Sequence, residues 1–178
     1  AYTVHLNMQN YLWDGIKRDR LVWMGDLHPE VMTVATVFGA QDVVNRSMDL
    51  VRQTTTLPGW MNGIGSYSLW WIIIQRDWYL YTGDKEYLET QKEYLDGLLR
   101  QVISQTDEKG REKTGGTRFL DWPSSENPSA IDAGLQAMAI MALDAGSQLC
   151  SLLGNSSLAK ECSVTAEKAR KAASELSK

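Results

Sequence analysis

The distribution of apolar positions predicts a chain made almost entirely of helices. Apolar residues recur with helical spacing in seven segments, which glycine, proline or polar runs separate. Pro29 suits the first turn of a helix, and Gly83-Asp84 combines a left-handed helix terminator with a helix cap. A long polar connection covers residues 107–128. The predicted helices cover residues 3–13, 29–38, 41–54, 66–81, 85–104, 129–153 and 158–176.

These helices differ in how much of their circumference is apolar. The fourth and sixth are apolar around most of it, whereas the fifth and seventh carry one apolar stripe with charges opposite. Buried helices that alternate with half-exposed ones are typical of two concentric layers of helix pairs. We therefore predict an all-α fold, a partial α/α toroid of about seven helices in two layers. A plain helical bundle or a solenoid is the alternative that periodicity leaves open.

Composition narrows the possible partners. The chain has 178 residues, 43% hydrophobic and 22% charged, which suits one globular domain and excludes a disordered or fibrous protein. Its net charge of −4 disfavours nucleic acid and anionic membranes, and its apolar runs fall short of the roughly 18 residues of a membrane span. Seven Trp and seven Tyr beside two Phe favour a site for sugars or other amphipathic ligands.

Metal and redox chemistry are not expected. Cys150 and Cys162 fall in apolar helical patterns and lack metal-ligand spacing, so we predict buried free thiols. His5 and His28 are too far apart in sequence to indicate a zinc site. The chain opens on an apolar stretch at Ala1 without a start signal, which indicates a piece of a longer protein.

The segment from Asp14 to Asp26, here called the acidic loop, is the densest candidate for chemistry. It holds three carboxylates, three cations and one tryptophan in thirteen residues, and two glycines interrupt any regular helix. Asp14, Asp19 and Asp26 are five and seven positions apart, which is not the spacing of one helix face. A loop that folds back would gather them around one ligand, as glycoside hydrolysis requires. The alternative is an ion-paired loop that caps the helix at Pro29.

A second candidate lies inside the long connection, at residues 118–123. Connections of this length in compact domains are usually functional or disordered. Here Asp121 would accept sugar hydroxyls and Trp122 would stack on a sugar ring, while anchoring the connection on the core is the alternative role. Trp60 is a weaker candidate of the same kind. The tryptophans of the fourth helix are expected in the core: Trp70, Trp71 and Trp78.

The acidic loop resembles the catalytic-domain signature of α-L-rhamnosidases, glycoside hydrolase family 78. That signature has an Asp, then an Arg, an acidic residue and a second Arg, and finally a Trp and a Gly-Asp pair. The residues in register are Asp14, Arg18, Asp19, Arg20, Trp23, Gly25 and Asp26. Residues 27–35, 81–84 and 119–122 also look like relatives of the family, and the resemblance covers most of residues 8–125.

The resemblance implies an (α/α)6-barrel glycosidase that inverts the anomeric centre, with a rhamnose-containing oligosaccharide or glycoside as substrate and no cofactor. It places Asp19 at the general-acid position, where Glu is common, and Asp14 and Asp26 where rhamnose hydroxyls bind. The further residues that it implies in the pocket or on its rim are Arg18, Trp23, Asp121 and Trp122.

The resemblance also implies that residues 1–178 lack the part of the catalytic domain that carries the general base. The family's general base is a Glu from a later loop, and no segment after Asp132 resembles that loop. Seven helices are about half of a complete double-layered barrel. We therefore predict that residues 1–178 are the N-terminal half of one barrel domain. An exposed apolar edge would pair with the missing C-terminal half. Residues 1–178 alone are expected to have little activity. The substrate class implies a periplasmic or extracellular bacterial location.

Two rival functions remain open. Another α/α-toroid carbohydrate enzyme, such as an unsaturated glucuronyl hydrolase, would act on uronides and would need basic residues in its pocket. A non-catalytic helical module would bind glycans or proteins through its aromatic loops without turnover.

Overall fold

The computed structural model describes residues 1–176, and its side chains through Ser174. In this part of the chain the regular secondary structure is helical, with isolated β-bridges and no β-strand. A short 3-10 helix, Met61–Gly63, precedes the fourth α-helix. The α-helices are α1 (Tyr2–Asn7), α2 (Leu27–Phe38), α3 (Asp42–Thr54), α4 (Gly65–Thr82), α5 (Lys85–Ser104), α6 (Pro128–Leu152) and α7 (Ser156–Leu176).

The helices form two layers, as the apolar patterns predict. In one layer α4 packs between α2 and α6. In the other layer α5 packs on α4 and α6, α7 packs on α6, and α5 and α7 contact each other. A tight turn joins α4 to α5, where Gly83 takes the left-handed conformation and the Asp84 carboxylate accepts a 2.9 Å hydrogen bond from the Tyr87 amide. The α/α arrangement predicted from the sequence is therefore confirmed.

The first predicted helix is wrong at its C-terminal end, because α1 stops at Asn7 instead of continuing to Trp13. Beyond it the chain turns back, and the Trp13 amide donates to the Asn7 carbonyl at 3.1 Å. Leu12 is fully buried, and its amide donates a 2.7 Å hydrogen bond to the Ser47 hydroxyl of α3. The Leu12 amide thus makes a tertiary hydrogen bond in place of the intrahelical hydrogen bond that a helix through Trp13 would require.

The core lies between the two layers. Trp71 and Trp78 are buried on α4, as expected, whereas Trp70 is half-buried and stacks on His28 with ring centroids 5.0 Å apart. Cys150 and Cys162 are buried free thiols, which confirms that prediction. Within residues 1–176, no helix has the length and apolarity that crossing a membrane requires.

The long connection folds over the N-terminal end of α4. Thr117 exchanges backbone hydrogen bonds with Gly63 and Gly65, at 2.9 and 3.4 Å, and the Ser66 hydroxyl donates to the Phe119 carbonyl at 2.6 Å. A Cβ on Gly65 would lie 2.5 Å from the Gly115 carbonyl oxygen, so this close approach requires a glycine. The connection is thereby fixed beside the acidic loop.

Candidate active site

The acidic loop folds back on itself and is anchored on the core. The Asp14 amide donates to the Leu21 carbonyl at 2.9 Å, closing the loop at its base. Val22 and Met24 are buried, and the Asn62 side chain bonds to the backbone of both, at 3.2 and 3.1 Å. These contacts fix the backbone at Val22 and Met24 and therefore the direction of the neighbouring side chains in the acidic loop.

Arg18 and Trp23 organise two of the three carboxylates. Arg18 contacts the Asp14 carboxylate through Nη2 and the Asp19 carboxylate through Nε, both at 3.0 Å. The Trp23 ring nitrogen donates to the other Asp19 oxygen, also at 3.0 Å. Both oxygens of Asp19 are therefore engaged, one by a cation that remains 72% exposed.

The third carboxylate lies in a different electrostatic environment. Burial raises the pKa of Asp26, and the charge of Asp14 raises it further, while the neighbouring Tyr67 side chain and the charge of Arg18 lower it. One turn further along α2, burial raises the pKa of Glu30 to about 7, with Asp14 and Asp26 adding to the effect. Carboxyl groups are thus concentrated near the N-terminus of α2, and Glu30 resists ionisation there.

These groups surround an open cavity of about 630 Å³ at the N-terminal ends of α2, α4 and α6. Its volume suits a sugar-sized ligand. The acidic loop, the start of α4 and the long connection each contribute one wall. The lining residues are Asp14, Arg18, Asp19, Trp23, Asp26, Ile64, Tyr67, Thr117, Phe119, Trp122 and Ser125.

Four aromatic rings form a continuous row along this cavity. Trp23 and Tyr67 meet edge-to-face with centroids 6.3 Å apart, and Tyr67 meets Phe119 at 6.5 Å. Phe119 in turn contacts Trp122 at 5.2 Å, and the Trp122 side chain is 82% exposed at the rim. The row provides an apolar surface in the same cavity as the carboxylates, and a sugar offers both an apolar face and hydroxyl groups to such a site.

Two residues predicted for the site, Asp121 and Trp60, do not line the cavity. The Asp121 carboxylate accepts hydrogen bonds from the Ser124 amide and hydroxyl at 2.8 and 2.6 Å, and these bonds hold its pKa below the ordinary value. Trp60 packs against Gly115 and Gly116. Trp60 thus packs on the long connection, whereas Asp121 is exposed and bonds to Ser124 within the same turn, so it does not anchor the connection on the core.

Tyr67, Phe119 and Glu30 belong to this region and were not among the residues predicted for it. Tyr67 lies in a helix whose apolar pattern indicated core. A usable signal was present, because Tyr67 follows the glycine-rich turn at 63–65, and such turns bring backbones close together. Glu30 lies within the stretch that resembles the family after the acidic loop.

Two of the site's carboxylates, Asp14 and Asp19, pair with the same cation, Arg18. In the part of the chain that the structure describes, no group of His, Cys, Asp and Glu side chains is arranged to hold a metal ion. The chemistry available to the cavity is that of carboxylates, one guanidinium, indole and phenol groups, which suits acid-base work on a sugar.

A two-layered α/α fold with carboxylates and aromatic rings at the N-terminal ends of its inner helices defines the class of α/α-barrel glycosidases. The model of the bacterial alpha-L-rhamnosidase six-hairpin glycosidase domain matches residues 1–175, and the chain belongs to this family. Membership agrees with the resemblance seen in the sequence.

A solved structure shows the same fold. The GH78 family rhamnosidase of Bacillus sp. GL1, a crystal structure at 1.9 Å, superposes with a TM-score of 0.80 at 20% sequence identity. The match covers 96% of this chain and 19% of that chain. Comparison with curated proteins gave no significant match.

Proposed function

We propose that this chain provides the sugar-binding side of an α-L-rhamnosidase active site, in an enzyme that releases terminal α-L-rhamnosyl residues with inversion. The observation that carries the proposal is the convergence of Asp14, Asp19 and Asp26 in one aromatic-lined cavity. Membership of the rhamnosidase glycosidase family supports the substrate class.

In this proposal Asp19 is the general acid, and Asp14 and Asp26 accept hydrogen bonds from the hydroxyls of the sugar. Asp19 protonates the leaving oxygen only when it carries a proton, and the oxygen that carries this proton must be free of Arg18. The contact with Arg18 is the one that opens, because the Arg18 side chain is largely exposed and rotates at little cost, whereas Trp23 is half-buried. Substrate binding between Arg18 and Asp19 would therefore prepare the acid.

The general base and the remaining wall of the pocket are proposed to lie outside residues 1–178. The described helices are about half of a six-hairpin barrel, and the chain spans 19% of the Bacillus rhamnosidase. We expect the isolated chain to be slower than the complete enzyme by a factor of about 100 to 10,000, because it lacks the base.

The rival carbohydrate enzyme is less well supported. A uronide substrate requires basic groups that are free to meet its carboxylate, and among the lining residues of the cavity Arg18 is the one cation. Arg18 is already bound to Asp14 and Asp19. A module that only binds glycans would bind the rhamnoside without hydrolysing it, which separates this function from that of an enzyme.

The test is hydrolysis of an aryl α-L-rhamnoside by the intact enzyme that carries this domain, compared with its Asp19→Asn variant. We expect kcat to fall by at least about 100-fold while rhamnose still binds, since the acid is lost and the hydroxyl-binding carboxylates remain. Asp42→Asn, on the exposed first turn of α3, is the matched control and should keep full activity. Unchanged turnover in Asp19→Asn would place the acid elsewhere, and turnover of uronides alone would refute the substrate class.

A further inference from the structure

A second cavity, here called the outer cavity, is formed by the acidic loop and the segment before it. It has a volume of about 510 Å³ and shares no lining residue with the active-site cavity. Lys17 and Arg20 line it, whereas the two residues between them in sequence, Arg18 and Asp19, line the active-site cavity. One loop thus contributes to two cavities. The residues that line the outer cavity are Gln9, Trp13, Ile16, Lys17 and Arg20.

The walls of the outer cavity are fixed by contacts with the N-terminal segment. The Asn7 carbonyl accepts a hydrogen bond from the Trp13 amide at 3.1 Å, and the Asn7 side-chain oxygen accepts one from the Ile16 amide at 3.2 Å. The Trp13 ring is half-buried and meets Tyr11 edge-to-face, with ring centroids 5.1 Å apart. The indole and the start of the acidic loop are therefore held together by the fold.

The two cations of the outer cavity have no anionic partner. Lys17 and Arg20 are exposed, and neither forms an ion pair with the part of the chain that the structure describes. The Nε of Arg20 donates to the Ile16 carbonyl at 3.0 Å, and within residues 1–176 its two Nη groups have no partner. Arg18, by contrast, is paired with two carboxylates. The charges of the outer cavity are thus available to an anionic ligand.

Arg20 also has an unusual backbone conformation. Its φ of +50° lies in the left-handed region, which side chains other than glycine rarely adopt. Such a conformation costs energy and persists only where the surrounding structure fixes it. Here the next residue, Leu21, accepts the hydrogen bond from the Asp14 amide that closes the base of the loop. The strained residue therefore lies between the loop closure and a cavity that its own side chain lines.

An indole beside two unpaired cations suits one class of ligand. The apolar face of a sugar ring packs on an indole, as Trp13 offers it. Guanidinium and ammonium groups bind carboxylate and sulfate oxygens, and these groups are supplied by Arg20 and Lys17. The outer cavity therefore fits a sugar ring that carries a negative charge, whereas the carboxylates of the active-site cavity would repel it.

We propose that the outer cavity is a second sugar-binding site, which takes an acidic sugar residue of the same glycan whose rhamnose occupies the active-site cavity. The acidic sugar is bound there and is not cleaved. The inference rests on the proposed function for the identity of the cleaved sugar, and it narrows the substrate to rhamnose-containing glycans that are anionic.

Binding is tested on the intact enzyme by titration calorimetry with methyl β-D-glucuronide and methyl β-D-glucoside, which differ in the carboxylate. We expect the glucuronide to bind about fivefold more tightly, with an advantage that shrinks at high salt, because exposed charges are screened. D-glucose 6-sulfate distinguishes the two anions, since tighter binding than that of the glucuronide would identify a sulfate ester as the preferred group. Equal affinity for the charged and neutral sugars would overturn the inference, as would displacement of the glucuronide by L-rhamnose.

Lys17→Gln is the variant that assigns this binding to the outer cavity. Because the Lys17 side chain is exposed and has no ion pair in the described residues, its replacement should leave the fold intact. We expect it to remove most of the fivefold advantage of the glucuronide and to leave the affinity for the glucoside unchanged. Lys160→Gln, on the exposed side of α7, makes the same change in net charge and is the control. Equal glucuronide affinity in the two variants would overturn the inference.

Hydrolysis connects the outer cavity to the reaction. In the wild-type enzyme, rhamnose α-linked to glucuronate should have a kcat/KM about fivefold higher than rhamnose α-linked in the same way to glucose. Lys17→Gln should abolish this difference by raising KM for the acidic disaccharide. Equal kcat/KM for both disaccharides in the wild type would contradict the inference. Hydrolysis of neither would refute the proposed function, while calorimetry would still decide whether the outer cavity binds an acidic sugar.

Discussion

At the scale of single residues, the cavity depends on how its negative charges are compensated. Arg18 bridges Asp14 and Asp19, whereas burial and the charge of Asp14 raise the pKa of Asp26. Burial raises the pKa of Glu30 to about 7, and the neighbouring carboxylates of Asp14 and Asp26 add to this effect. This carboxyl therefore retains its proton in the folded state at a pH where the unfolded chain has lost it.

Glu30 accordingly makes stability depend on pH. Its pKa is raised from 4.5 to about 7 on folding, so the unfolded state binds fewer protons between these values and stability falls as pH rises through this window. We expect Glu30→Gln to be about 1–3 kcal/mol more stable than wild type above about pH 7, with the gap closing below about pH 4.5.

The measurement is urea unfolding across this pH range, followed by tryptophan fluorescence. Glu86→Gln is the control, because Glu86 occupies the equivalent first turn of α5 but is exposed. A Glu30→Gln gap that is constant with pH would contradict the account of this carboxyl.

At the scale of secondary-structure elements, the position of the long connection determines one wall of the cavity. It contributes Phe119 and Trp122 to the cavity and is held by the buried Glu112 carboxylate. Glu112 accepts two hydrogen bonds from Arg118, at 2.6 and 3.3 Å, and one from the Thr114 amide at 2.9 Å. The wall of the cavity thus depends on an ion pair outside it.

We expect Glu112→Gln to destabilise the domain by about 1–3 kcal/mol and to raise KM, because a buried carboxylate that binds a guanidinium is replaced by a neutral amide. Glu161→Gln removes one partner of an exposed pair with Arg100 at 3.9 Å and should cost at most about 0.5 kcal/mol. Chemical unfolding and substrate kinetics of both variants check this. Equal losses of unfolding free energy in the two variants would show that the ion pair of Glu112 with Arg118 does not hold the long connection.

The accuracy of the sequence-based predictions differs between these scales for physical reasons. Helices with local end signals, such as the capping Asp84 or the first-turn Pro128, were predicted within two residues. The end of α1 was not, because Leu12 is bound by Ser47 from a distant helix. In the site, the spacing of the acidic loop identified its carboxylates, whereas Tyr67 reaches the cavity through tertiary packing that a helical pattern does not reveal.

At the scale of the whole molecule, the fold presents half of a ring with its cavity at one end. Large apolar side chains are exposed away from the cavity, among them Tyr2 at 75%, Val37 at 54% and Leu80 at 67%. We propose that the other half of the barrel packs on this domain and supplies the general base.

The most direct test of the account is the configuration of the sugar that the intact enzyme releases first. Proton NMR of an aryl α-L-rhamnoside during early hydrolysis separates the two anomers of free rhamnose before they equilibrate. An inverting site with a base beyond these residues predicts β-L-rhamnose as the first product. Initial release of the α anomer, or no hydrolysis of the rhamnoside, would contradict the account.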